Sequence, residues 1–127
     1  MRHPLRTVLL AFAADAVLVV VFAAIGRASH HEAVLPGLLE TAWPFLAGLA
    51  LGWLISQAWR APLAPVRTGL PVWALTVAAG MLLRGVSGQG VVVAFVIVAS
   101  IVLLVFLVGW RAVARLVTRR RAAVDAA

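Results

Sequence analysis

The run Leu5–Ile25, LRTVLLAFAADAVLVVVFAAI, decides how the rest of the chain is read. It is about 20 residues of nearly unbroken apolar character, the length that crosses a bilayer as an α-helix. A secretory leader is the competing reading, because Met1–Arg6 (MRHPLR) is basic and Ala23, Ala24 and Ala28 are small. The run exceeds the roughly 7–15 residue core of a leader, and Asp15 interrupts it, so a retained first span is expected. Asp15 stands about ten residues from either end of the run, hence near the middle of the bilayer at about 1.5 Å per residue. A charged carboxylate there costs roughly 2.5–3.5 kcal/mol on insertion scales, so its presence calls for a reason.

Working outward, the chain continues in the same manner. Of its 127 residues 65% are hydrophobic and 12% charged, too few polar side chains to cover a water-soluble domain. Further apolar runs cover residues 38–59, 69–84 and 91–110, so four spans fit with short connections and no room for a separate soluble domain. The expected fold is all-α: a single four-helix transmembrane domain over 1–127, with spans at 5–25, 38–59, 69–84 and 91–110, packed as a compact bundle. Pro36-Gly37 reads as the start of the second helix, with Pro44 in its first turns, where a missing donor costs least. Residues 60–68 (RAPLAPVRT) read as a loop and 85–90 (GVSGQG) as a tight turn. The fourth helix is expected to continue past its span through Arg111, Arg115 and Arg119, and the tail from Ala122 to fray.

All eleven basic residues are Arg, for a formal net charge of +7. They lie between apolar runs, not along a polar face, so nucleic acid is not the expected partner. The bilayer is, with anionic lipid headgroups facing Arg111, Arg115, Arg119, Arg120 and Arg121. Arg2, Arg6, Arg60, Arg67 and those five fall on one side of the predicted spans, and only Arg27 and Arg84 on the other. By the positive-inside rule both termini are cytoplasmic, in a multi-pass protein of the cell membrane. The absence of Cys removes disulfides, thiolate metal sites and Cys nucleophiles.

Three groups of residues could carry more than packing. Asp15, with Thr76 and Ser100 at similar depth on other helices, is a candidate proton or ion site, since desolvation favours a protonated carboxyl. The same three could equally be one hydrogen-bonded join between helices. At the outer face Arg27, Glu40 and Arg84 form a polar cluster, read either as charges that pin helix ends or as the entrance for a small polar solute. Gly48, Gly52 and Ser56 repeat every four residues and include a GxxxG match, a small-residue face for packing within the chain or against a second copy. His30-His31-Glu32 lacks the spacing of a metal site, and neither Ser29 nor Ser87 has an identifiable base. No cofactor and no enzymatic activity are expected.

Several strings carry a resemblance. Gly26-Arg27-x-Ser29-His30, Thr41-Ala42-Trp43-Pro44-Phe45, Gly52-Trp53, Trp73-x-x-Thr76 and Gly109-Trp110-Arg111 resemble the small four-span membrane proteins of bacteria and archaea grouped as domain of unknown function 3054. That resemblance implies four helices in a membrane and no particular activity. In outline the chain is also similar to small multidrug resistance transporters, with four short spans and an acid midway along the first. Asp15 stands where that family has Glu, and its neighbours do not match. The expected role is a small oligomeric transporter or channel for a small solute, proton or ion. The alternative is a non-transporting structural or assembly subunit of a membrane complex.

Overall fold

A computed structural model describes residues 3–29 and 31–126. Four α-helices follow one another: α1 Leu5–Ser29, α2 Val34–Ser56, α3 Leu70–Val86 and α4 Val93–Ala126. All four are long and apolar enough to cross a membrane, α3 when counted from Pro65. Leu54 and Ile55 of α2, Leu82 of α3 and Ile97, Ile101 and Val105 of α4 lie exposed on the outside of the bundle. An outer surface of that composition suits lipid rather than water, and the chain has the build of a multi-pass membrane protein.

The helices run up and down. One end of the bundle, here the basic end, gathers the start of α1, the 57–69 connection and the continuation of α4. The other, the turn end, gathers the short connections between α1 and α2 and between α3 and α4. The turn at 87–92 uses Gly88 and Gly90 at positive φ (84° and 83°), which closes α3 onto α4 in few residues. The 57–69 connection is shaped by its prolines: a 3-10 turn at Ala58–Arg60, then a single π-helical turn at Pro65–Gly69 that leads into α3.

The closest helix pair is α2 with α3. A Cβ added at Gly48 would lie 2.9 Å from the Thr76 carbonyl oxygen, and one at Gly52 3.2 Å from that of Val72. The GxxxG face is therefore consumed inside the chain, and Gly48 and Gly52 are not free to pair with a second copy. Ser56 Oγ donates back to Gly52 O at 2.6 Å. From the α1 side, Phe22 meets Phe45 edge-on at 5.1 Å, and both lie within 6.1 Å of Phe95 on α4.

Three local expectations need correction. Pro36-Gly37 lies inside α2, which already begins at Val34. Pro44 is therefore a mid-helix proline and leaves Glu40 O without its i+4 donor. Gln89 of the opposite turn fills that place, donating from Nε2 to Glu40 O at 3.0 Å. Finally, α4 does not fray at Ala122 but stays helical to Ala126. At 1.5 Å per residue its 34 residues reach about 51 Å, well beyond a hydrocarbon core of about 30 Å.

Candidate functional site: a buried charge lock and an open cleft

The buried stripe of α1 runs Ala11, Asp15, Val19, Phe22, and that of α4 runs Ala99, Leu103, Leu107, Arg111. Each stripe thus carries one charged residue on its apolar face, and helix packing brings the two together. Both side chains are fully buried, with Arg111 Nη2 2.7 Å from Asp15 Oδ2 and Nη1 2.8 Å from Oδ1. This two-pronged geometry is the strongest form of the Arg–carboxylate contact.

Two indole donors complete the carboxylate. Trp53 Nε1 of α2 donates to Oδ2 at 2.7 Å, and Trp110 Nε1 of α4 donates to Oδ1 at 2.8 Å. Each oxygen therefore accepts two hydrogen bonds, which uses all of the roughly four lone-pair directions of a carboxylate. The guanidinium uses four of its five N–H donors: besides the two bonds to Asp15, Nε donates to Pro62 O and Nη1 to Leu107 O, both at 2.8 Å. Its carbon lies 4.8 Å from the centre of the Trp110 ring. Phe12 packs edge-on against Trp53 at 5.2 Å and closes the site from the α1 side. Among the described residues no buried side-chain nitrogen or oxygen lacks a partner.

Charge burial explains this crowding. A carboxylate and a guanidinium taken out of water each lose several kcal/mol of solvation, recovered only when geometry is good and every polar atom is paired. Here α1, α2, α4 and the 57–69 connection all contribute. Thr68, itself buried, holds that connection by donating from Oγ1 to Ala61 O at 2.5 Å. A Cβ at Gly69 would stand 3.3 Å from Val108 Cα and 3.4 Å from Arg111 Cδ, so this glycine lets α3 begin against α4.

The arrangement revises the candidate ion site. Thr76 Oγ1 donates to Val72 O and Ser100 Oγ to Val96 O, each within its own helix, so neither bonds to Asp15. Asp15 lies near the middle of α1, and its carboxylate meets Trp53, three residues before the end of α2, on the side of the 57–69 connection. Arg111 leaves the set of headgroup contacts, because it is buried; Arg115, Arg119, Arg120 and Arg121 beyond it are exposed. The partners Trp53, Trp110 and Arg111 were present in the sequence, but their roles follow only from the register between helices.

The turn end is built differently. Arg27 spreads its guanidinium over Gly37, where a Cβ would collide with it. Its Nε donates to Ala33 O at 2.7 Å, and its Nη1 to Thr41 Oγ1 at 3.0 Å, with Glu32 Oε2 3.1 Å away. Arg84 donates from Nε to Gly90 O at 3.1 Å and from Nη1 to Gln89 Oε1 at 3.2 Å. Its Cζ lies 4.5 Å from the centre of the Phe95 ring. Glu40 joins this end only through its backbone carbonyl, with its side chain exposed, so Arg27, Glu40 and Arg84 do not form one cluster. His31 is exposed with φ 59°, and His30 lies outside the described residues.

Arg27 and Arg84 do share a cleft. A cavity of about 390 Å³ opens between α1 and α4 at the turn end, with Arg27, Glu32, Thr41 and Arg84 at its mouth. Its walls are apolar: Phe22 and Ile25 from α1, Phe95, Val98 and Val102 from α4.

Comparison with curated proteins and with solved structures returns no match. A family profile, protein of unknown function (DUF3054), matches residues 12–114. The matched region holds all four helices in whole or part and the complete Asp15–Trp53–Trp110–Arg111 lock. The chain belongs to the DUF3054 family.

Proposed function

We propose that this protein is a small membrane transporter for a small anionic solute, seen with one end closed and the other open. The observation that carries the reading is the asymmetry of the bundle. A fully buried, densely bonded charge pair closes the basic end, while a cavity of about 390 Å³ with two arginines at its mouth opens at the turn end. Asp15 acts here as half of a latch, not as a coordination site, since its oxygens have no free acceptor position. Passage of solute would require the latch to part. A buried pair suits that task, because its strength changes steeply with hydration. The nine-to-two distribution of arginines supports an orientation with the basic end and both termini in the cytoplasm of a prokaryotic cell, so the cleft faces outward. Any contact between copies would use faces other than Gly48 and Gly52.

The test is uptake by proteoliposomes of a small organic anion, octanesulfonate, against a cation of equal chain length. Saturable uptake of the anion, reduced by Arg84→Gln, is the expected result. Anion uptake no faster than in protein-free vesicles would end the transport reading. A second reading, a non-transporting subunit, is favoured by one observation: every polar group of the lock is spent on packing. It predicts a stoichiometric membrane partner on gentle detergent extraction, and a homogeneous single-component preparation would count against it.

A further inference from the structure

The cleft between α1 and α4 also limits what kind of solute fits, an inference that rests on the transport reading above. Its mouth carries Arg27 and Arg84 against one carboxylate, Glu32, a formal balance of +1. Glu32 stands in ion-pair contact with Arg27. Among the described residues Arg84 has no carboxylate within ion-pair distance, and its bonds go to neutral oxygens of Gln89 and Gly90. Arg84 is thus the cation of the cleft without a carboxylate in direct contact, with Glu32 acting on it only across the cavity. Directly below it, Phe95, Val98 and Val102 of α4 and Phe22 of α1 form an apolar wall. From Phe95 to Val102 the wall descends about 10 Å at 1.5 Å per residue. Val98 is also exposed at the bundle surface, so the cleft is open sideways toward lipid. A volume of about 390 Å³ lies at the small end of the range for ligand pockets, room for one short chain and not for two.

We infer that the cleft binds a single-chain, monoanionic amphiphile, its headgroup on Arg84 and Arg27 and its chain along Phe22, Phe95, Val98 and Val102. The charge balance selects one negative charge, the apolar wall selects a hydrocarbon tail, and the lateral opening supplies a route of entry from the bilayer.

Equilibrium binding to the purified full chain in a neutral detergent, followed by ligand NMR, tests this without requiring transport. The probes are octanesulfonate, octyltrimethylammonium with the same chain and opposite charge, methanesulfonate with the headgroup alone, and a bilayer disc containing phosphatidylglycerol. Octanesulfonate is expected to bind at least tenfold more tightly than either of the other two soluble probes. Arg84→Gln should weaken it at least tenfold and Arg84→Lys by less. Val98→Trp, which fills the cleft without touching charge, should abolish binding while leaving the melting profile of the bundle intact. Equal binding of the cationic probe, or undiminished binding by Val98→Trp, overturns the inference. So does displacement of octanesulfonate by phosphatidylglycerol at stoichiometric amounts, which would make the occupant a two-chain bilayer lipid. A change of oligomeric state in Val98→Trp would make it a second copy of this chain, and likewise overturns it. Binding with no uptake in vesicles would retire the transport reading and leave the site standing.

Discussion

The two ends of this bundle each place an arginine beside a carboxylate, with opposite consequences. At the basic end Arg111 and Asp15 have no exposed side-chain surface, and every carboxylate direction is used. At the turn end the Arg27 side chain retains 15% exposure and that of Glu32 55%, and the arginine spends more bonds on backbone and Thr41 than on the acid. The lesson is that pairing alone does not define a role. Burial makes the first pair a unit whose halves depend on each other, whereas solvent leaves the second a weak contact and its cationic charge accessible.

The largest expected effect breaks the latch on one side only. Asp15→Ala or Arg111→Met leaves an unpaired charge in a dry site and should cost about 3–5 kcal/mol in reversible unfolding from mixed micelles. The double variant Asp15→Leu/Arg111→Met should recover most of that loss, because the charges are then removed together. Additive losses in the double variant would mean that the pair does not act as a unit. Next in size, Trp53→Phe or Trp110→Phe deletes one donor to the carboxylate and should cost roughly 1.5–3 kcal/mol.

Gly48→Ala probes the α2–α3 contact on which both ends hang. Its methyl would meet Thr76 O at 2.9 Å, a backbone atom that cannot rotate away, for an expected loss of about 1–3 kcal/mol by thermal melting. Gly52→Ala, at 3.2 Å from Val72 O, should lose less. The smallest effect belongs to the turn end: Glu32→Gln should change stability by roughly 0–1 kcal/mol, and that change should shrink with added salt. A loss there as large as that of Asp15→Ala would erase the distinction between the two ends.

Much of the fold can be read from the sequence, for a physical reason. Lipid imposes a length and a composition on each span, so Leu5–Ile25 and the three runs after it announce themselves. Boundaries shifted where a local signal had two meanings. Pro36-Gly37 and Pro44 suit a helix start, yet the helix begins earlier and Gln89 repairs the gap left by Pro44. The site was less accessible. Asp15 could be singled out by its cost alone, but its partners depend on how far each helix slides along its neighbours. Arg111 shares a four-residue spacing with Arg115 and Arg119, which groups it with exposed residues. The same spacing backward through Leu107, Leu103 and Ala99 groups it with the core, and only packing chooses between the two. Gly52-Trp53 and Gly109-Trp110-Arg111 were already prominent as strings, and their shared contact with Asp15 supplies the structural meaning.

The claim that one end is sealed and the other open can be measured by cysteine labelling, for which the chain is suited because it has no Cys of its own. Thr41→Cys lies in the cleft, and Thr68→Cys is buried in the connection that covers the latch. In reconstituted protein, a small charged maleimide supplied to both faces should label Thr41→Cys readily and Thr68→Cys hardly at all. Adding Asp15→Ala should expose Thr68→Cys and leave Thr41→Cys unchanged. Equal labelling of the two positions without that second substitution would contradict the account.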